Sequence, residues 1–142
     1  IMESLGPAVL DEYWNPKMLG SVAIEIVDTA YKMVKALKAQ EKLKLQGIDI
    51  RVIDMHTIKP IDKDAIIKAA KETKKIITIE DHSIIGGLGS AVCEVLAEEY
   101  PCKVTRIGIN DVFGESGPAK ELLHKYELDA EGITNRILKE MQ

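Results

Sequence analysis

From Ser21 onward, strand-like and helix-like segments alternate at intervals of roughly 25 residues, and that spacing constrains the fold more than any other feature. Val22-Ala23-Ile24-Glu25-Ile26-Val27 is short and rich in β-branched residues. Asp28 or Thr29 can cap the following helix, on which Ala30, Met33, Val34 and Leu37 share a face before Gly47 stops it. The second strand is expected between Ile48 and Met55, after which Pro60 breaks the chain. Asp62 then caps a helix with Ile66, Ala69 and Ala70 inward. The third strand is expected over Lys75 to Glu80. Leu88, Ala91, Val92, Val95 and Leu96 after it give the clearest helical period in the chain. Pro101 ends that helix, and Lys103 to Ile109 is the fourth strand. Pro118 suits the first position of a short helix, and Asp129 caps the last one, with Ile133, Ile137, Leu138 and Met141 buried.

Strands joined by helical crossovers run parallel, so residues 21–142 are expected to form one three-layer α/β/α sandwich around a mostly parallel, five-stranded sheet. Residues 1–20 show no sustained period, with Gly6, Pro7, Tyr13-Trp14, Asn15-Pro16 and Gly20 scattered through them. They read as an irregular N-terminal segment in which Ala8-Val9-Leu10 can supply the fifth strand, antiparallel at the sheet edge.

Composition narrows the setting. With 142 residues, 46% apolar and 30% charged, the chain has the make-up of one soluble domain with a sizeable core. No apolar run nears the roughly 18 residues of a membrane span, and Ile1-Met2-Glu3 shows no basic region leading into an apolar one, so no signal peptide is visible. Cys93 and Cys102 are too few for a disulfide framework, which fits a reducing cytoplasm. The net charge of -4 weighs against a general nucleic-acid binder. A start at Ile1 in place of Met fits a piece of a longer polypeptide.

Ligands of open parallel sheets bind outside the carboxyl ends of the strands, so the loops there are the places to look. Gly86, Gly87, Gly89 and Ser90 lie between a strand and a helix, where backbone amides and the helix dipole could hold an anion. The spacing matches neither a Walker loop nor a dinucleotide fingerprint, and tight turning alone also accounts for the glycines. Glu80-Asp81-His82 groups two carboxylates with an imidazole, a set capable of acid-base work if it converges. Neighbours along a strand point to opposite faces, however, so a carboxylate holding His82 or Lys59 to fasten two loops is an equal reading. His56, Lys59, Asp81, His82 and Glu115 are therefore candidate interface or loop-organising residues. No two histidines share ligand spacing with a cysteine or carboxylate, so no structural zinc site is expected. Lys32, Lys35, Lys38, Lys42 and Lys44 make the first helix basic, as a solvated face commonly is.

Three ordered stretches resemble the transketolase C-terminal domain. They are Gln-Gly-Ile-Asp-Ile-Arg-Val-Ile-Asp-Met-His-Thr-Ile-Lys-Pro-Ile-Asp at 46–62, Ile84-Ile85-Gly86-Gly87-Leu88-Gly89-Ser90-Ala91-Val92, and Arg106-Ile107-Gly108-Ile109-Asn110-Asp111-Val112-Phe113-Gly114-Glu115-Ser116-Gly117. The resemblance covers residues 20–142 and is nearest to the bacterial and archaeal form split between two polypeptides. Where that family carries a glycine-bearing turn after the first strand, this chain has Asp28-Thr29-Ala30. The resemblance implies a cytoplasmic enzyme of the pentose phosphate pathway that moves two-carbon ketol units between sugar phosphates. It also implies thiamine diphosphate with magnesium or calcium in the whole enzyme, held between a diphosphate-binding and a pyrimidine-binding domain at a dimer interface. Those domains are the implied partners, and the resemblance assigns no catalytic, cofactor or metal residue to this chain. Its role would be structural, in dimerisation. Deoxyxylulose-phosphate synthase and the β subunit of 2-oxoacid dehydrogenases share the Lys59-Pro60-Ile61-Asp62 turn, whereas Phe113-Gly114-Glu115-Ser116-Gly117 favours transketolase. A stand-alone anion-binding regulatory module is the reading from another class.

Overall fold

The computed structural model describes residues 23–27 and 30–142. Within them the order is β1 (Ala23–Val27), α1 (Ala30–Lys44), β2 (Ile50–Asp54), α2 (Lys63–Thr73), β3 (Lys75–Ser83), α3 (Leu88–Glu99), β4 (Lys103–Ile109), α4 (Ala119–Lys125) and α5 (Ala130–Met141). The described strands form one four-stranded parallel sheet in the order β2-β1-β3-β4. The fifth, antiparallel strand expected at Ala8-Val9-Leu10 lies outside the described residues, as do the irregular segment 1–20 and the caps Asp28 and Thr29.

Side-chain alternation on the strands builds two cores. On β2 and β3, Ile50, Val52, Ile77 and Ile79 face α1 and α5, meeting Met33, Ala36, Ala39, Leu43, Ile133 and Ile137. On the other face Ile53 and Ile76 meet Ile66, Ala69, Ala70, Leu88, Val92, Val95 and Leu96 of α2 and α3. The sheet is therefore covered on both sides, as parallel sheets require. Arg51 sits 4% exposed on the α2 side of β2, where its guanidinium pairs with Glu72 at the end of α2.

The inward face of α1 differs from the expected one. Val34 is 52% exposed, and the buried row is Met33, Ala36, Ala39 and Leu43. Two alanines in that row let α1 lie close to the sheet, and alanine carries little apolar signal in a periodicity count. The caps Asp62 and Asp129 are found as expected, accepting from Ala65 N at 3.0 Å and Gly132 N at 2.8 Å. Pro118 stands one position earlier than expected, as the residue before α4.

At the α4–α5 corner, Asp129 also receives His124 Nδ1 at 2.7 Å. That hydrogen bond and the carboxylate's charge raise the His124 pKa. Burial pulls Asp129 upward, but the Gly132 amide and His124 outweigh it and hold its pKa low. The raised imidazole contributes stability that is fully present below the ordinary imidazole range and lost as pH rises through the folded value. The lowered carboxyl contributes stability lost as pH falls through its own folded value, so the pair acts between the two. Asp129→Asn keeps a capping side chain, and the His124 midpoint followed by NMR should then drop toward the ordinary value. An unchanged midpoint would show that Asp129 is not the cause.

Candidate functional site

β2 lies on one side of β1 and β3 on the other, so the chain reverses its direction of travel between β1 and β3. At such a switch point the loops diverge and leave a crevice at the carboxyl ends of the strands. The turn after β3, residues 84–87, borders it; the turn after β1 falls on residues 28–29, outside the described set.

Strand β3 runs three residues past its expected end, through a register irregularity between Ile79 and Ser83 opposite β4. Glu80 and His82 are thereby strand residues two apart whose side chains meet, and Asp81 between them is exposed. The Glu80 side chain is fully buried at the start of α3. Its Oε1 accepts the Leu88 amide at 3.1 Å and its Oε2 accepts the Gly89 amide at 2.8 Å. His82 Nδ1 lies 3.0 Å from Oε1, with the ring half exposed.

The expected trio therefore resolves into a pair, Glu80 with His82, and the carboxylate belongs to the fold. Burying an ion costs several kcal/mol. Two charge-assisted amide bonds at about 1.5–3 kcal/mol each, with the positive end of the α3 dipole, offset that cost. Glycine makes the approach possible: a Cβ on Gly87 would lie 1.9 Å from Glu80 Oε1. Gly89 is packed on Arg106 and Thr78 in the same way, at 2.7 Å for each nearest atom, and Gly108 lies under Glu80 and Ile84.

Three further groups of this glycine turn are engaged within the chain. Gly86 N donates to Ser90 Oγ at 2.9 Å, Ser90 Oγ donates to the Ile84 carbonyl at 3.1 Å, and Arg106 donates to that same carbonyl at 2.9 Å. Of the four residues expected as an anion loop, Gly86, Gly87, Gly89 and Ser90, three are thus tied up in self-capping and Gly87 is the space Glu80 fills. A bound phosphate would have to displace, or sit against, a carboxylate.

The remaining candidates lie apart from this pair. His56 and Lys59 are exposed on the β2–α2 turn, which closes around the cis Lys59–Pro60 bond. His56 lines a 330 Å³ hollow with Asp54, Met55, Thr57, Pro60, Ile61 and Asp62. Glu115, on the β4–α4 loop, pairs with Lys125 of α4 at 2.6 Å. Cys93 and Cys102 are half-buried, and desolvation raises both thiol pKa values, which suits small packing residues better than nucleophiles.

Glu80 as a cap, Arg106 and Gly108 were missing from the candidates drawn from sequence. A signal was available, since an acidic residue ending a strand ahead of a glycine turn can reach the next helix's N-terminus. Thiamine diphosphate with its divalent metal does not fit the described residues. No three of their histidine, cysteine, aspartate or glutamate side chains gather for a metal, and the α3 amides already face a carboxylate. No helix among the described residues is long and apolar enough to cross a membrane.

Fold and site together define a parallel α/β/α domain whose carboxyl-end turn is closed by its own buried glutamate. Residues 21–133 match the family model described as "Transketolase, C-terminal domain", and the chain belongs to that family. A Methanocaldococcus jannaschii protein provisionally named a transketolase C-terminal section is 52% identical over 120 residues, 84% of this chain and 37% of that protein. A 1-deoxy-D-xylulose-5-phosphate synthase of Geobacter metallireducens is 40% identical over 121 residues, 84% of this chain and 19% of that protein. Among solved structures, a split-gene transketolase described as an inactive beta4 tetramer superposes with a TM-score of 0.76 at 46% identity. That match covers 84% of this chain and 39% of the other. The chain thus spans well under half the length of these relatives.

Proposed function

We infer that this chain serves as the C-terminal structural and dimerisation domain of a transketolase, a cytoplasmic enzyme transferring two-carbon ketol units between sugar phosphates. The observation that carries the reading is the likeness to the split-gene transketolase chain, which is inactive as a beta4 tetramer and of which this chain covers 39%. The glycine turn supports it, because the Leu88 and Gly89 amides at the start of α3 are matched from within the chain. Thiamine diphosphate and its metal belong, on this reading, to diphosphate- and pyrimidine-binding domains, fused or on a separate chain. Residues 21–142 form the domain, and His56, Lys59, Asp81, His82 and Glu115 organise its loops or its interface.

Calorimetric titration of the chain with thiamine diphosphate and magnesium should show no stoichiometric heat, and one-to-one binding would sink the reading. The synthase relative calls for a second measurement. The complete enzyme should transfer ketol units from a ketose phosphate to an aldose phosphate, and pyruvate decarboxylation in its place would assign it to the sister enzyme.

A further inference from the structure

Two neighbouring loops at the carboxyl end of the sheet present apolar side chains to solvent. Ile85 is 63% exposed at the tip of the 84–87 turn, and Val112 and Phe113 are 55% and 98% exposed on the loop after β4. Part of the backbone beneath them is held by hydrogen bonds. Ile84 N donates to the Ile109 carbonyl at 3.0 Å, joining the two loops, and Ile85 N donates to Ser83 Oγ at 3.2 Å. Arg106 and Ser90 hold the Ile84 carbonyl, and the Glu115–Lys125 pair ties the second loop to α4. The 84–87 turn is thus an ordered support for Ile85, which loses little conformational freedom on docking.

We propose that Ile85, Val112 and Phe113 form the face on which the catalytic part of the same enzyme docks. The identity of that occupant rests on the transketolase reading above. Area separates it from a second copy of this chain. Three such side chains offer on the order of 300 Å² of apolar surface, against about 800 Å² per partner for a stable free-standing dimer. The face suits an interface whose remaining area lies elsewhere, as between domains or subunits of one enzyme.

The test compares hydrogen exchange of residues 84–87 and 110–117 in the complete native enzyme and in this chain alone. The expected result is roughly tenfold or greater slowing in the complete enzyme. Ile85→Asp/Phe113→Asp in the complete enzyme should restore fast exchange, lower ketol transfer by roughly tenfold or more, and leave this domain's own melting unchanged. Leu45→Asp is the control, an equally exposed apolar site (89%) just past the end of α1, at the opposite end of the sheet. It should change neither readout. Equal exchange in the two wild-type samples overturns the proposal without any variant. A dimer of this chain alone that Phe113→Asp abolishes overturns the chosen occupant. Protected loops in an enzyme that transfers no ketol units would overturn the transketolase reading and leave the docking face standing.

Discussion

Glu80→Ala is expected to lower the stability of the domain by about 3–5 kcal/mol, measured by urea unfolding at constant m. The substitution leaves the Leu88 and Gly89 amides buried without an acceptor, and each such orphan costs about 1–3 kcal/mol. Glu80→Gln keeps one accepting oxygen but turns an amide toward the other donor, so it should fall between the wild type and Glu80→Ala. The sharper form of the prediction is non-additive. Gly87→Ala alone places a Cβ 1.9 Å from Glu80 Oε1, and neither a fully buried carboxylate nor the strand that carries it can step aside. In the Glu80→Ala background that obstacle is gone, and Gly87→Ala should cost little more. A double-mutant cycle should therefore return a coupling of about 2 kcal/mol or more. Additive losses would mean that the carboxylate does not occupy the space above Gly87.

Gly132→Ala should be destabilising by about 2–4 kcal/mol, because the atoms it would meet are backbone. A Cβ there would lie 2.5 Å from Glu127 Cα and 2.6 Å from both its carbonyl carbon and oxygen. Glu127 already turns the chain with a φ of 57°, so the α4–α5 corner has no relaxed alternative to move into. Gly114→Ala provides the contrast. Nothing lies within 4 Å of its added Cβ, and its effect should stay within about 0.5 kcal/mol. Thermal melting of the two variants decides the matter, and a Gly132→Ala protein as stable as the wild type would show that the corner is looser than its geometry.

How much of this was legible in advance varied with how local the cause is. The face of α3 read correctly because the large aliphatic side chains Leu88, Val92, Val95 and Leu96 repeat at the helical period, and that signal needs no knowledge of what lies opposite. α1 misled at Val34, since its true seam runs through Ala36 and Ala39, and small residues chosen for close packing look nearly neutral in a pattern of hydrophobicity. The Glu80–Asp81–His82 group was noticed for its chemistry, but its partners were not. The amides that Glu80 caps lie eight and nine residues further on. The extension of β3 that carries His82 beside Glu80 depends on pairing with β4, about 25 residues away.

The sequence by itself determined the class of the domain: alternating strand and helix periods force crossovers, crossovers force parallel strands, and parallel strands demand helices on both faces. Three ordered loop motifs within that alternation were enough to point to the family. Only the tertiary structure showed what the Leu88 and Gly89 amides behind the glycine turn are paired with. Whether backbone amides at a helix N-terminus await a ligand or are already matched depends on which side chain the sheet delivers there. Here it delivers Glu80. An anion site and a self-capped turn can share the same glycines, because glycine only makes room, and what fills the room is set by packing from a distant part of the chain.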